Sequence, residues 1–437
     1  MVQKGDKRVG IIGGGISGMS AAWELSRKGI QVDLFERDVH LGGLAGWFDV
    51  NGSTLEKFYH HLYNLDQDLI RLIQEVGLGS NLVFRRTNTG AFYVNKIYRL
   101  SSPLDLIKYK PLPFLDRLKM GMLVLKARKV KDWKELDNMT ARDWIVQNSS
   151  QAVFDIVWSP LFRSKFGKYA DDISAAWLWS KLVQRGGSRS KGGAEELGYL
   201  KGGYGLLFNT MEKQLTERNV RIHKQSPVET IVCENGKVTG LRVCGDMIPF
   251  THVIACVQLP DYLEIVGEAP EQYRNELGKI GYLGNVTLVL KLNRSLSDTY
   301  WINVTDPECP FVGVIEQTNL LDETHYGGHH FAYISRYMDV DDPLYLMTPQ
   351  DLFAVYRPWL QRVFPEFSES WLDDLMLWRD PHSQAVVTTG YRTRVPDIQT
   401  PLKGLYLSTM AQIFPEDRQM SNGVKFAKKA AAMVLTE

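Results

Sequence analysis

The stretch that most constrains this 437-residue chain is residues 8–46. Arg8-Val9-Gly10-Ile11-Ile12 reads as a short apolar strand, and Gly13-Gly14-Gly15-Ile16-Ser17-Gly18 follows at once with the spacing G-x-G-x-x-G. Residues 17–28 have helical periodicity and stop at Gly29; residues 31–35 read as a second strand with Glu36 at its end. Gly13 allows a tight turn, Gly15 leaves room for a pyrophosphate against the backbone, and Gly18 lets the helix pack closely on the sheet. The helix start, at Ile16 and Ser17, supplies unpaired N–H groups and a partial positive charge. Glu36 stands 18 residues after Gly18, where a carboxylate accepts hydrogen bonds from ribose hydroxyls. This context predicts an α/β chain with a Rossmann-like dinucleotide site. The competing reading is an adventitious glycine turn in an ordinary βαβ unit.

Composition narrows the partners. A net charge of +1 gives no domain-wide basic excess for nucleic acid. Cys233, Cys244, Cys256 and Cys309 show no C-x-x-C spacing, so neither a metal site nor a redox pair is indicated. Isolated thiols point to a reducing cytoplasm. The first strand begins within about ten residues of Met1, which leaves no room for a signal peptide. No apolar run approaches the ~20 residues of a spanning helix.

A second glycine pair follows the acid in Glu36-Arg37-Asp38-Val39-His40-Leu41-Gly42-Gly43-Leu44-Ala45. Here the sequence resembles the FAD-dependent superfamily of amine oxidases, protoporphyrinogen oxidases, phytoene desaturases and UDP-galactopyranose mutases. The resemblance implies a discontinuous FAD domain of the glutathione reductase type, with an inserted α+β substrate domain. It implies FAD contacts from Gly13, Gly14, Gly15, Ile16, Ser17, Gly18, Glu36, Arg37, Gly42, Gly43, Leu44 and Ala45. It also implies that the Val228 backbone meets the adenine. Residues 404–409 resemble the last FAD strand. Many members have Gly-Asp or Gly-Asn where Thr409-Met410 stands, so Asp417 is a candidate to replace Thr409 at the ribityl chain. Gln419-Met420 opens a last helix whose N–H groups would face flavin N1 and O2.

The segment Tyr59-His60-His61-Leu62-Tyr63, like the E-R-x-x-H-x-G-G-x-A pattern, is similar to the mutase branch. That places His60 or His61 near the flavin ring; in the alternative reading both only bridge to the next strand. Amine oxidases carry a lysine near flavin N5 at the start of a strand such as 285–292, and here Leu288 stands in its place. Asp380-Pro381-His382 resembles a flavin-approaching segment of the porphyrinogen oxidases, with a structural turn as the plainer reading.

Other features come from the residues themselves. Asp66 is expected to cap the helix that follows it. Gly198 to Gly205 is read as glycine-rich but without a leading apolar strand. Residues 104–131 mix leucines with eight basic and two acidic residues, a composition that suits an anionic membrane surface or a solvated edge of the substrate domain. The aromatic and basic run 158–167, with Trp177 and Trp179, suits a cavity for an apolar body carrying an anion. Arg163, Lys165 and Arg189 are candidate anion contacts, and Tyr333, in the alternating run 331–335, is a further substrate candidate. In the bland reading the tryptophans are core and the cations face water.

The expected division is 1–100, 198–283 and 395–437 for the FAD domain and 101–197 and 284–394 for the substrate domain. The expected function is an FAD-dependent oxidoreductase taking a hydride from a C–H bond of a small, largely apolar substrate, reoxidised by oxygen, a quinone or a partner protein. The alternative is a redox-neutral mutase using reduced FAD.

Overall fold

The computed structural model describes residues 7–100, 102–187 and 196–437. Five parallel strands form the first sheet, in the spatial order Leu405–Leu407, His252–Ala255, Arg8–Ile12, Gln31–Phe35, Arg221–His223. Strands covered on both faces need unbroken apolar runs, and Val9, Ile11, Leu34, Val253, Ile254 and Leu405 are completely buried. The exception is Asp33. It is buried, yet it accepts from Arg221 at 2.7 Å, His223 at 3.0 Å and Arg8 at 3.3 Å, as a buried carboxylate must.

Helix Ile16–Ser26 packs against the last helix, Met420–Thr436. The approach is close: a Cβ on Gly423 would lie 2.8 Å from Ser17 Oγ. On the other face sits a three-stranded antiparallel sheet, Val228–Glu234, Lys237–Val243 and Asp246–Pro249. Asn235 and Gly236 both have positive φ, which is the twist a two-residue hairpin requires.

The second domain is built on a seven-stranded mixed sheet, in the order Leu372–Ala385, Tyr282–Leu292, His330–Met338, Gly313–Glu316, Trp301–Val304, Thr89–Tyr93, Lys96–Arg99. Helix Pro349–Val363 buries Leu352, Tyr356 and Leu360 in one cluster with Leu288 and Leu290 of that sheet. Helices between residues 103 and 187 complete this half. The architecture is thus α/β, with a Rossmann-like domain and a second mixed domain. Among the described residues, no helix is long and apolar enough to cross a membrane.

Local expectations need correction at three places. The hairpin 89–99 is hydrogen-bonded into the seven-stranded sheet, so that sheet begins before residue 100. A strand, Glu196–Leu200, does lead into the Gly198 to Gly205 segment and pairs with Leu82–Arg86. Asp66 stands at the N-cap position, but its carboxylate accepts from Tyr63 N at 2.7 Å and makes no cap bond. The carboxylate closes the Tyr63 to Asp66 turn instead, and burial there pushes its pKa up to about 6 against the lowering effect of the Tyr63 N–H.

Candidate active site

One cavity of about 590 Å³ runs from the first glycine turn to the region between the two large sheets. At its start the chain turns at Gly13, where φ is +99°, and a Cβ there would sit 2.7 Å from Cys256 O. Gly18 is equally constrained: a Cβ would lie 1.9 Å from Gly13 O. Gly15 differs, because a Cβ there would meet nothing closer than 3.8 Å. Its bareness is needed by whatever enters the cavity, not by the protein's own packing. The helix that starts at Ile16 has no side-chain cap and no acid in its first turn, so its first N–H groups remain available for an anion.

The second glycine turn folds onto the first. Gly42 N donates to Gly14 O at 3.0 Å, and Gly15 and Gly42 form a parallel bridge. Glu36 sits under both turns. Its carboxylate accepts from Gly14 N at 2.6 Å and from Asp38 N at 2.9 Å, and burial pushes its pKa up. Its carbonyl accepts from Ser226 N, which brings Ser226, Pro227 and Val228 to the same end of the cavity.

The far end is aromatic and charged. Tyr59 meets Trp301 edge-on with ring centroids 4.9 Å apart. His60 Nδ1 lies 2.6 Å from Phe58 O; a carbonyl only accepts, so Nδ1 carries the proton and Nε2 is an acceptor. Burial lowers the His60 pKa to about 4, which keeps the ring neutral. His61 Nδ1 lies 3.1 Å from Tyr300 Oη. A single π-helical turn, Phe154–Trp158, precedes helix Ser159–Phe166, and Trp158 lines the cavity. Such turns recur at functional sites.

Asp417 organises the charged part of the cavity wall. Its carboxylate takes Lys165 Nζ at 3.1 and 3.2 Å, Trp177 Nε1 at 3.2 Å, and Lys181 Nζ. Burial alone would raise the Asp417 pKa, but Lys165 and Lys181 outweigh it and hold the carboxyl well below the usual range. For Lys165 burial dominates over the attraction of Asp417, and its pKa falls to about 8.

The residues present fit FAD. The bare backbone at Gly15, the uncapped helix start and Glu36 suit a pyrophosphate and a ribose. Ser408 Oγ and Trp158 Nε1, both buried and both on residues lining the cavity, have no hydrogen-bond partner among the described residues.

Gly13, Gly15, Ile16, Ser17, Glu36, Arg37, Gly42, Gly43, Leu44, Ala45, His60, His61, Lys165, Val228, Thr409, Asp417 and Met420 all line this cavity. Gly14 and Gly18 do not; they hold Glu36 and the helix in place. Arg163 is exposed outside it. Tyr333 is buried in the core, and its hydroxyl donates to Glu56 O at 2.8 Å; it faces the FAD domain's packing rather than the cavity. Arg189 lies outside the described residues. Thr409 N donates to Gln412 Oε1. His382 sits in the strand Leu372–Ala385, near Asp261, and does not line the cavity. Leu288 is core, and Asn285 of the same strand lines the cavity instead, bonded to Ser335 Oγ at 2.9 Å. Lys181, Trp301, Tyr337 and Arg418 were not anticipated. Arg418 adjoins a candidate residue, whereas the others carried no sequence signal.

The model of the family described as flavin containing amine oxidoreductase matches residues 16–419. The chain belongs to that family. A zeta-carotene desaturase of Arabidopsis thaliana is 27% identical over 274 residues, covering 55% of this chain and 48% of that protein. The chain spans about half the length of the curated relatives it matches first. A provisional protoporphyrinogen oxidase from Exiguobacterium sp. 255-15 superposes with a TM-score of 0.80 at 17% identity, covering 99% of both chains. A reduced UDP-galactopyranose mutase superposes with a TM-score of 0.77 at 14% identity, covering 98% of this chain and 96% of that one. These structures share the fold of this chain over nearly its whole length.

Proposed function

We propose that the protein is an FAD-dependent oxidoreductase acting on a C–H bond of a small, largely apolar organic substrate. The observation that carries this reading is the single cavity joining the two glycine turns and Glu36 to an aromatic wall between the domains, in a chain of the flavin-containing family. When bound, FAD supplies the hydride acceptor. The chain's own groups bind and orient: the glycine turns and the helix start hold phosphate, Glu36 holds ribose, and Val228 adjoins them. Tyr59 and Trp301 give the substrate an apolar wall that excludes water. His60 stays neutral there and offers Nε2 as an acceptor. Oxygen, a quinone or a partner protein takes up the electrons.

The test is anaerobic photoreduction of the purified, flavin-loaded protein, followed by mixing with oxygen, a quinone or UDP-galactopyranose. Rapid return of the oxidised flavin spectrum with oxygen or quinone is expected. A flavin that stays reduced while the sugar isomerises would replace this reading with the mutase one. Purified protein with no affinity for FAD would overturn both.

We also propose that this protein makes peripheral contact with an anionic membrane. Helices Pro103–Ile107 and Phe114–Lys129 leave Leu104, Ile107, Phe114, Leu115, Leu118 and Leu125 exposed, beside Lys126, Arg128 and Lys129 of the last turn. Apolar side chains flanked by lysines suit an interfacial helix. Co-sedimentation with phosphatidylserine vesicles, lost in the double variant Leu115→Ser, Leu125→Ser, is expected; equal pelleting of the two proteins counts against the contact.

A further inference from the structure

The face of the seven-stranded sheet that borders the cavity carries a neutral polar row. Thr287, Ser335, Gly313 and Asn303 stand directly opposite one another on adjacent strands, so their side-chain positions share one face. The other face holds Val286, Ile302, Val304, Val314 and Ile334 in one apolar cluster. Asn285, Ser335, Trp301 and Asn303 line the cavity.

The hydrogen bonds along this row have a direction. Thr287 Oγ1 donates to Asn285 Oδ1 at 2.7 Å, and Asn285 Nδ2 donates to Ser335 Oγ at 2.9 Å. These three buried side chains satisfy one another. Asn303 differs. Trp301 Nε1 lies 2.9 Å from its Oδ1. An indole N–H only donates, so the atom it meets must be the amide oxygen. The bond therefore fixes the sense of the amide and leaves its NH₂ end for the cavity. Ile302 and Val304, on either side, are buried, whereas Asn303 is half-buried.

Gly313 makes the room. A Cβ there would lie 3.0 Å from Ile302 O and 3.9 Å from Trp301 Nε1. With strands about 4.8 Å apart, Ser335 and Asn303 stand about 10 Å from each other across that bare position. Trp301, with Tyr59 edge-on to it, supplies an apolar wall beside the amide.

An N–H group pressed against hydrocarbon loses hydration and gains nothing. A carbonyl oxygen on an apolar body would recover that loss, and it needs no proton acceptor in return.

We infer that Asn303, its amide oriented by Trp301, is a specificity-determining residue that donates a hydrogen bond to a carbonyl oxygen of the substrate. This rests on the reading of the cavity as the substrate cavity. It narrows the substrate class to apolar compounds bearing a carbonyl group, as distinct from pure hydrocarbons.

The test uses the oxidised, flavin-loaded protein with acetophenone as probe and isopropenylbenzene, in which C=CH₂ replaces C=O, as its counterpart. Affinities are read by perturbation of the flavin spectrum, and the carbonyl stretch of bound, isotope-labelled acetophenone by infrared difference spectroscopy. In the unaltered protein the stretch should lie below its position in hexane. In Asn303→Leu it should return to that position, and acetophenone should weaken about fivefold relative to isopropenylbenzene, the scale of one neutral hydrogen bond. Trp301→Phe, which frees the amide to rotate, should lower the same ratio. A merely structural role for Asn303 would weaken both probes alike.

Failure of acetophenone to bind the unaltered protein, or a carbonyl band at the hexane position, would overturn the proposal without reliance on any variant. So would an Asn303→Leu protein that holds FAD more weakly while the ratio of the two affinities stays the same, since the amide would then serve the flavin. Binding is read without turnover. A carbonyl bond to Asn303 in a protein that exchanges no electrons would therefore sink the oxidoreductase reading and leave the subsite standing.

Discussion

The backbone N–H of Gly14 donates to Oε2 of Glu36 at 2.6 Å, tying the middle of the first glycine turn to the acid at the end of the second strand. Asp38 N holds the other carboxylate oxygen at 2.9 Å. Glu36 therefore shapes the turn as well as presenting acceptors to a ribose. In Glu36→Gln, one of the two N–H groups must face an amide NH₂. The lost charged hydrogen bond is worth about 1.5–3 kcal/mol, so FAD affinity should fall at least about tenfold, measured by fluorescence titration of the apoprotein.

The glycines of the fingerprint should separate by mutation. Gly15→Ala places its methyl 3.8 Å from the nearest atom, so the apoprotein should melt like the parent but fail to retain FAD. Gly18→Ala drives its methyl to 1.9 Å from Gly13 O and should destabilise the fold by at least about 2 kcal/mol. Calorimetry of both apoproteins, with flavin content, checks the contrast; similar melting temperatures would refute it.

Tyr333→Phe removes the bond to Glu56 O without reaching the cavity. A loss of about 1 kcal/mol of stability, with unchanged affinity for FAD, is expected in urea denaturation and flavin titration.

Glu56 is buried and accepts from Tyr199 Oη and Tyr204 N, each at 2.7 Å. Burial nevertheless pushes its pKa from 4.5 up to about 7. Between these values the native state holds more protons than the unfolded chain. Its contribution is complete below pH 4.5 and is lost as pH rises through about 7. Stability should thus decline over this window by on the order of 2 kcal/mol more in the parent than in Glu56→Gln. Denaturation of both proteins at pH 5, 6, 7 and 8 checks this. Glu316 and Asp66, also raised by burial, are present in both and cancel.

The nucleotide end of the site was legible because its signals are local. A strand, a glycine turn, a helix and an acid lie within 40 residues, and each residue type answers to backbone geometry that the neighbouring sequence dictates. The hairpin at Asn235-Gly236 was legible for the same reason. Asp66 shows the limit: the residue type suits a cap, but a competing N–H three residues upstream won its carboxylate.

The charged end of the cavity is a product of distance. Lys165 and Asp417 are 252 positions apart, and Lys181 joins them only because helices Ser159–Phe166 and Ala175–Gly187 pack beside the loop that precedes the last helix. Arg163, two residues from Lys165, faces water because a helix turns successive residues by about 100°. Leu288 and Asn285 lie on one strand at an odd offset, so they face opposite sides of the sheet; the sequence does not say which side meets the cavity. The chain's own letters determined the parallel sheet, the glycine turns and the acid, since those follow from local sterics and apolar periodicity. Which cations meet Asp417, and that Tyr333 belongs to the core, depended on tertiary packing, because charge clusters are made by long-range contacts that no local pattern encodes.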